Sequence, residues 1–247
     1  MKLDELFESA PISVYGITNE DVSRRGMLGG LGAALLGTKP AIAGTTSTQS
    51  VEIPAQSVKS PHWVKKFIID HVPLINDANR RLENDRERLL TILHKNALTD
   101  FEEKWLDSMM EKYKCASPEE LLSHIDIVPV SLVLAQSALE SDWGRSELAK
   151  HNAFFGQKTW GKKDNIRGYK KFGSPSESIE AYMLNINSNK AYAPLRQLRE
   201  QLRKHRKPIT GLSLATGLTK YSVTGSKYVE KIKDTILAQG FHHFDQK

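Results

Sequence analysis

The run from Val130 to Leu139 constrains the fold most, because it holds no charged side chain and leads directly into a glutamate, Glu140. Helical spacing places Val130, Val133, Leu134 and Ser137 on one face, while Leu132, Ala135 and Leu139 cover the others. A helix that is apolar all round is buried inside a domain, so other elements have to surround it. Pro129 suits a first-turn position and Gly144 suits a stop, which puts Glu140 on the last turn. Desolvation favours the neutral form of a carboxyl group there. A neutral carboxylic acid at working pH is what protonation of a glycosidic leaving oxygen requires. The same position would equally suit a carboxylate that emerges into solvent at a helix end.

The surrounding elements read as mainly helical. Ile68, Ile75, Leu82 and Leu89 recur at intervals of seven, with Val64, Phe67, Val72 and Leu93 widening the stripe. Pro73 is expected to interrupt or kink it. Phe101, Trp105, Met109 and Tyr113 form a second stripe at four-residue steps. These stripes are expected to pack on the rest of the domain, since a self-associating coiled coil needs longer sustained heptads. Ser117 and Pro118 look like a helix start, with the helix running to Ser123 or His124. From Asn152 to Lys171 the chain is rich in Gly, Lys, Asn and aromatics, which predicts a short hairpin or extended lobe. Phe154, Phe155 and Phe172 are assigned to the core there, and Trp160 and Tyr169 to an open face. Ser176 to Asn187 is helical again, with Ile179, Tyr182, Met183 and Ile186 inward. A further helix from Tyr192 carries Arg196, Arg199, Arg203, Lys204, Arg206 and Lys207, read as a solvated face, with attraction to anionic polymers as the functional alternative. Tyr228 begins the last amphipathic helix.

Several chemistries fall away. The net charge of +6 and pI of about 9.2 suit an anionic partner. No zinc finger, helix-turn-helix signature or aromatic-basic strand pattern is present, so nucleic acid is the weaker choice of partner. There is no Gly-rich phosphate cradle, no His-Glu-x-x-His helix and no G-x-S-x-G elbow. His242 and His243 lack partners at metal-ligand spacing, so neither a metal nor a cofactor is expected. The single cysteine, Cys115, cannot form an internal disulfide and reads as a buried small hydrophobe.

The wording from Leu134 to Gly144, followed by Asn152 and Phe155-Gly156-Gln157, resembles the bacterial Bax-type β-N-acetylglucosaminidases of glycoside hydrolase family 73. The resemblance continues through Lys171 to Ser174, Ser178 to Met183, Asn185 to Asn187, Tyr221-Ser222 and Tyr228-Val229, spanning roughly residues 62 to 240. It implies a mainly α, lysozyme-like α+β domain with a small β lobe, preceded by packing helices. It also implies a hydrolase of the β-1,4 bond between N-acetylglucosamine and N-acetylmuramic acid in peptidoglycan glycan strands, with Glu140 as the catalytic acid. Family members place a tyrosine beside that acid. Tyr221, in a Gly-flanked loop, is the expected cleft residue, while core packing competes for Tyr228. Asn152, Phe155, Gln157, Trp160, Tyr169 and Tyr228 are carried as sugar-binding candidates, since aromatic faces and side-chain amides suit pyranose and acetamido groups. A second carboxylate is harder to find. Asp164 is the acid of the short lobe and the candidate water-activating base, and a substrate acetamido oxygen acting as nucleophile would dispense with it. A lytic transglycosylase or a non-catalytic wall-binding protein that keeps the fold are the rival readings.

Residues 1–43 read as an export signal, 44–60 as a Thr/Ser/Gln-rich linker and 61–247 as the domain. Ser23-Arg24-Arg25-Gly26-Met27-Leu28 resembles the twin-arginine motif, the apolar run to Gly37 is too short to span a bilayer, and Ala41-Ile42-Ala43 is a small-x-small cleavage signal. The expected location is the periplasm or cell envelope, with no transmembrane anchor after processing. Replacing Arg24 and Arg25 with Lys is therefore expected to strand the unprocessed chain in the cytoplasm, because the paired guanidinium groups are read and not charge alone. Mature protein beginning near Gly44 in the periplasm of that variant would rule the route out.

Overall fold

The computed structural model describes residues 51–159 and 165–245. The expected signal region lies outside the described residues, as do Trp160 and Asp164. The linker reading of 44–60 gives way in its described part. Ala55–Val58 is a short helix, α1, with Ser57 buried and its hydroxyl donating to the Gln239 carbonyl at 2.6 Å. That carbonyl belongs to the end of the last long helix, where acceptors are otherwise orphaned.

The long helix α2 covers His62–Leu93, and its predicted stripe is inside, with Ile68, Ile75, Leu82 and Leu89 all buried. The helix runs through Pro73 without a break. Proline removes the hydrogen bond to the carbonyl four residues back and its ring crowds that carbonyl, together costing about 3 kcal/mol in a helix interior. Here that carbonyl is on Ile69, which is 48% exposed, so water can serve it. Helix α3, Asp100–Tyr113, starts on a capping box in which the Thr99 hydroxyl accepts from Glu102 N and the Glu102 carboxylate accepts from Thr99 N. Its buried face is Leu106, Met109 and Tyr113. Phe101 departs from the predicted stripe. It is 71% exposed and lies under the Arg88 guanidinium, which also covers Trp105. Helix α4, Pro118–His124, is capped by Ser117 as its sequence predicts. Cys115 is half-buried rather than buried, and burial pushes its thiol up to about 12.

At the centre is α5, Val130–Glu140, with every residue from Val130 to Ala138 buried. It packs on α2, on α8 (Gly211–Leu214), on α9 (Ser226–Ala238) and on a C-terminal 3₁₀ turn, Phe241–Asp245. Asp245 in that turn accepts from Ser131 N at 2.9 Å, Ser131 Oγ at 2.5 Å and Gly211 N at 2.8 Å. A carboxylate on free N–H groups at a helix start is favourable. Gly211 is required there, since a Cβ on it would lie 2.1 Å from Ser131 Oγ. The helix ends at Glu140, earlier than the Gly144 stop expected. Ser141 then caps it, and Asp142, Trp143 and Gly144 all have positive φ.

The predicted lobe is a two-stranded antiparallel hairpin. β1 (Asn165–Ile166) pairs with β2 (Tyr169–Lys170), Ile166 opposite Tyr169, across an Arg167-Gly168 turn in which both residues have positive φ. Helix α6, Pro175–Ser188, buries Ile179, Tyr182, Met183 and Ile186. Glu177 and Glu180 stay exposed, as their helical spacing predicts.

Helix α7, Ala193–Lys204, corrects the reading of its basic face. Arg196 and Arg199 are buried. The Arg199 guanidinium donates to the carbonyls of Ser123, Asp126 and Ile127 and to Asn187 Oδ1. Arg203 binds the Asp126 carboxylate through both Nε and Nη2, and Arg86 of α2 lies 3.7 Å from it. Lys204, Arg206 and Lys207 remain exposed. Charge counting could not separate these groups, because burial is decided by carbonyls outside the helix: Ile186 and Asn189 for Arg196, and the Ser123–Ile127 segment for Arg199.

Burial pushes the Asp126 carboxyl up, but the Arg203 hydrogen bonds and the charges of Arg199, Arg86 and Arg203 together hold it below the usual range. A carboxyl lowered in the folded state stabilises the fold above about pH 4, the unfolded value, and loses that contribution as pH falls through the folded value. Asp126→Asn is expected to reduce stability by about 3 kcal/mol at pH 7, since three cations lose a buried partner. Urea unfolding should show that gap closing below about pH 4, where wild type also loses the charge.

Candidate active site

The site is built on the last turn of α5. Glu140 is the last helical residue, fixed because Ser141 Oγ donates to Ser137 O at 2.5 Å and accepts from Gly144 N at 2.8 Å. The left-handed turn that follows returns Trp143 to the core, edge-on to Phe67, Trp63 and Phe241. The carboxyl therefore projects from a rigid platform toward Tyr228 and Gly156. Burial pushes it up to about 7, opposed by a hydrogen bond from Tyr228 and by the charge of Lys231.

The tyrosine on Glu140 is Tyr228, not Tyr221. Tyr228 lies in the first turn of α9, and its hydroxyl donates to Glu140 Oε1 at 2.8 Å. Tyr221 is buried one layer back. Its ring stacks on Tyr228 with centroids 5.2 Å apart, and its hydroxyl donates to the Phe155 carbonyl at 3.1 Å. Spacing could not distinguish them, because the loop tyrosine is drawn inward by an orphan carbonyl while the helix start points its tyrosine at the acid.

The other candidates divide. Phe155 is buried and stacks on Tyr182 with centroids 4.0 Å apart, so it floors the site rather than lining it. Phe154 is core beside Phe67 and His71. Phe172 is only half-buried, with the Lys170 ammonium over its ring, so its core assignment does not hold. Asn152 takes a left-handed conformation and its amide donates to the Phe172 carbonyl at 3.0 Å, an architectural use of one of its two N–H groups. Gln157 is 2% exposed, and among the described residues neither its amide nitrogen nor its oxygen has a hydrogen-bond partner. Tyr169 and Glu140 meet across Gly156. A Cβ there would lie 3.7 Å from Glu140 Oε2 and 3.8 Å from Tyr169 Cε1.

Sequence reasoning missed the polar support behind the acid. Gln136, buried one helical turn before Glu140, donates to the Tyr228 hydroxyl at 3.1 Å and accepts from Tyr182 Oη. A fully apolar run interrupted by a glutamine at i−4 from the acid was the available signal. Tyr182 gave none, because it stands in an apolar stripe. Asp142 and Glu147, the nearest acids in sequence, are exposed and paired with Arg145 and Lys150. Among the described residues no group of His, Cys, Asp and Glu could hold a metal ion.

The arrangement provides one acid, still partly protonated near pH 7, with a hydroxyl donor on one oxygen and a side-chain-free glycine beside the other. The family model described as mannosyl-glycoprotein endo-β-N-acetylglucosaminidase matches residues 116–239, which include all of α5, the hairpin, and Tyr228. The chain is 32% identical over 178 residues to the protein bax of Escherichia coli strain K12, covering 66% of this chain and 65% of that protein. The chain thus spans a little under two thirds of that relative's length. No solved structure matches. With the family's domain covering the acid and the elements that position it, this chain belongs to the glucosaminidase family.

Proposed function

We propose that the protein hydrolyses the β-1,4 bond between N-acetylglucosamine and N-acetylmuramic acid in peptidoglycan, with Glu140 as the general acid. The observation that carries this reading is the half-buried Glu140, its carboxyl raised to about 7 by desolvation and hydrogen-bonded by Tyr228. A group poised near working pH both holds a proton and releases it in the transition state. Family membership supports a glycosidic substrate, and Tyr169 beside Gly156 offers an aromatic surface next to the acid.

We propose further that the substrate's acetamido oxygen, rather than Asp164, attacks the anomeric carbon. Among the described residues the nearest carboxylates in sequence are exposed and ion-paired, which supports a mechanism with one protein acid. Export through the twin-arginine route, with 1–43 removed, would bring the 61–247 domain to its substrate. Among the described residues no helix is long and apolar enough to cross a membrane.

Glu140→Gln keeps the side-chain shape but has no transferable proton, and general acid catalysis is worth about 100- to 10,000-fold. Peptidoglycan digestion by that variant is expected to fall by at least 100-fold, while Asp164→Asn stays within a few-fold of wild type. Mass spectrometry should find reducing N-acetylglucosamine ends; anhydro-muramic ends would identify a transglycosylase instead. A comparable loss in Asp164→Asn would assign it as the base.

The same variant carries a stability signature. A carboxyl raised in the folded state favours the fold while protonated, and that contribution disappears as pH climbs from about 4.3 through the folded value near 7. Glu140→Gln should therefore match wild type in urea at pH 4 and exceed it at pH 8 by up to about 3 kcal/mol. Equal stability at pH 8 would show that the carboxyl is not held in a desolvated site.

A further inference from the structure

Behind Glu140 lies a chain of hydrogen bonds whose direction can be deduced. Tyr182 is fully buried, and among the described residues Gln136 is the only hydrogen-bond partner of its hydroxyl. If the Gln136 amide were turned over, the Tyr182 proton would face an NH₂ group and be left without an acceptor in a dry site. Tyr182 therefore donates to Gln136 Oε1. That places Gln136 Nε2 toward Tyr228, to whose oxygen it donates at 3.1 Å. The phenol has a single proton, and it is directed onto Glu140 Oε1 at 2.8 Å. Oε1 is thus an acceptor, and the acid's own proton belongs on Oε2. Oε2 is the oxygen beside Gly156, where a Cβ would stand 3.7 Å away.

We propose that Tyr182 and Gln136 are positioning residues for the transferable proton: by fixing the direction of this chain they confine the proton to Glu140 Oε2, over the side-chain-free surface of Gly156. The inference rests on Glu140 being the acid, as proposed above. In the step itself the Oε2–H bond breaks, the proton passes to the leaving glycosidic oxygen, and the electron pair stays on the carboxylate. The new charge is met at Oε1 by the Tyr228 hydroxyl and eased through space by the charge of Lys231, both on α9. The other titratable groups acting on Glu140 are Tyr182 of α6, Tyr192 and Tyr221. Burial pushes all three phenols, and that of Tyr228, above their ordinary value, so they remain neutral donors. Were the chain reversed, Glu140 would donate its proton to Tyr228 through Oε1, facing away from Gly156.

Tyr182→Phe removes the group that fixes the direction without touching Glu140. Clearing of purified peptidoglycan would be followed against pH for wild type, Tyr182→Phe, Gln136→Met and Glu140→Gln. Freeing the amide lets Tyr228 turn from donor to acceptor, which favours the neutral acid. The basic limb of the rate profile is then expected to move up by about one pH unit. The maximal rate should fall several-fold, as part of the protons are held on the wrong oxygen. Circular dichroism identifies folded variants, and if Tyr182→Phe does not fold, Gln136→Met carries the same expectation. A basic limb at or below the wild-type position in a folded variant, with Glu140→Gln inactive, overturns the inference and leaves the acid assignment standing. Activity surviving in Glu140→Gln removes the acid assignment itself.

Discussion

Desolvation of the Glu140 carboxyl is the constraint from which the rest of the structure follows. A carboxyl group reaches a value near 7 only if water is kept from it without supplying a full counter-charge. The chain achieves this by seating the acid at the end of a helix with no exposed side chain along nine residues. Helices α2, α8 and α9 enclose that helix, and the C-terminal turn holds its start through Asp245. The last turn is stopped at the acid itself by Ser141 and a run of left-handed residues, and the Tyr228 hydroxyl holds the carboxyl from the facing helix.

Two desolvated carboxyls in this fold illustrate how environment assigns roles. Asp126 is buried, yet the guanidinium groups of Arg203, Arg199 and Arg86 hold it ionised. It ties α2 and α7 to the loop before α5. Glu140 has a phenol and one exposed lysine, too little to offset its burial. The first arrangement stabilises a fixed charge and the second leaves a charge unfavourable at neutral pH. Sites with the second property are enriched in catalytic acids.

Much of this was legible in the sequence because it rests on periodicity. The buried α5, the heptad stripe of Ile68 to Leu89, the Ser117-Pro118 start and the small hairpin all follow from local patterns. What was not legible depends on partners distant in sequence. Arg199 and Lys204 look alike on paper, and only the carbonyls of the Ser123–Ile127 segment decide that the first is buried. Tyr221 and Tyr228 are both plausible neighbours of the acid, and the Phe155 carbonyl decides between them. Phe101 falls on an apolar stripe but stays 71% exposed, covered by the Arg88 guanidinium. Gln136 was visible as an interruption in an apolar run, though its link to Tyr182 and Tyr228 required all three helices to be in place.

The protonation state of Glu140 carries the proposed chemistry. Carbon-13 NMR of glutamate labelled at the carboxyl carbon, with Glu140→Gln to assign the resonance, would follow that group directly through pH. The structure predicts a midpoint near 7, well above the ordinary glutamate value. A midpoint near 4.3, the value of a glutamate in water, would mean that Glu140 is solvated and ionised at neutral pH, and the proposed acid would have no proton to give.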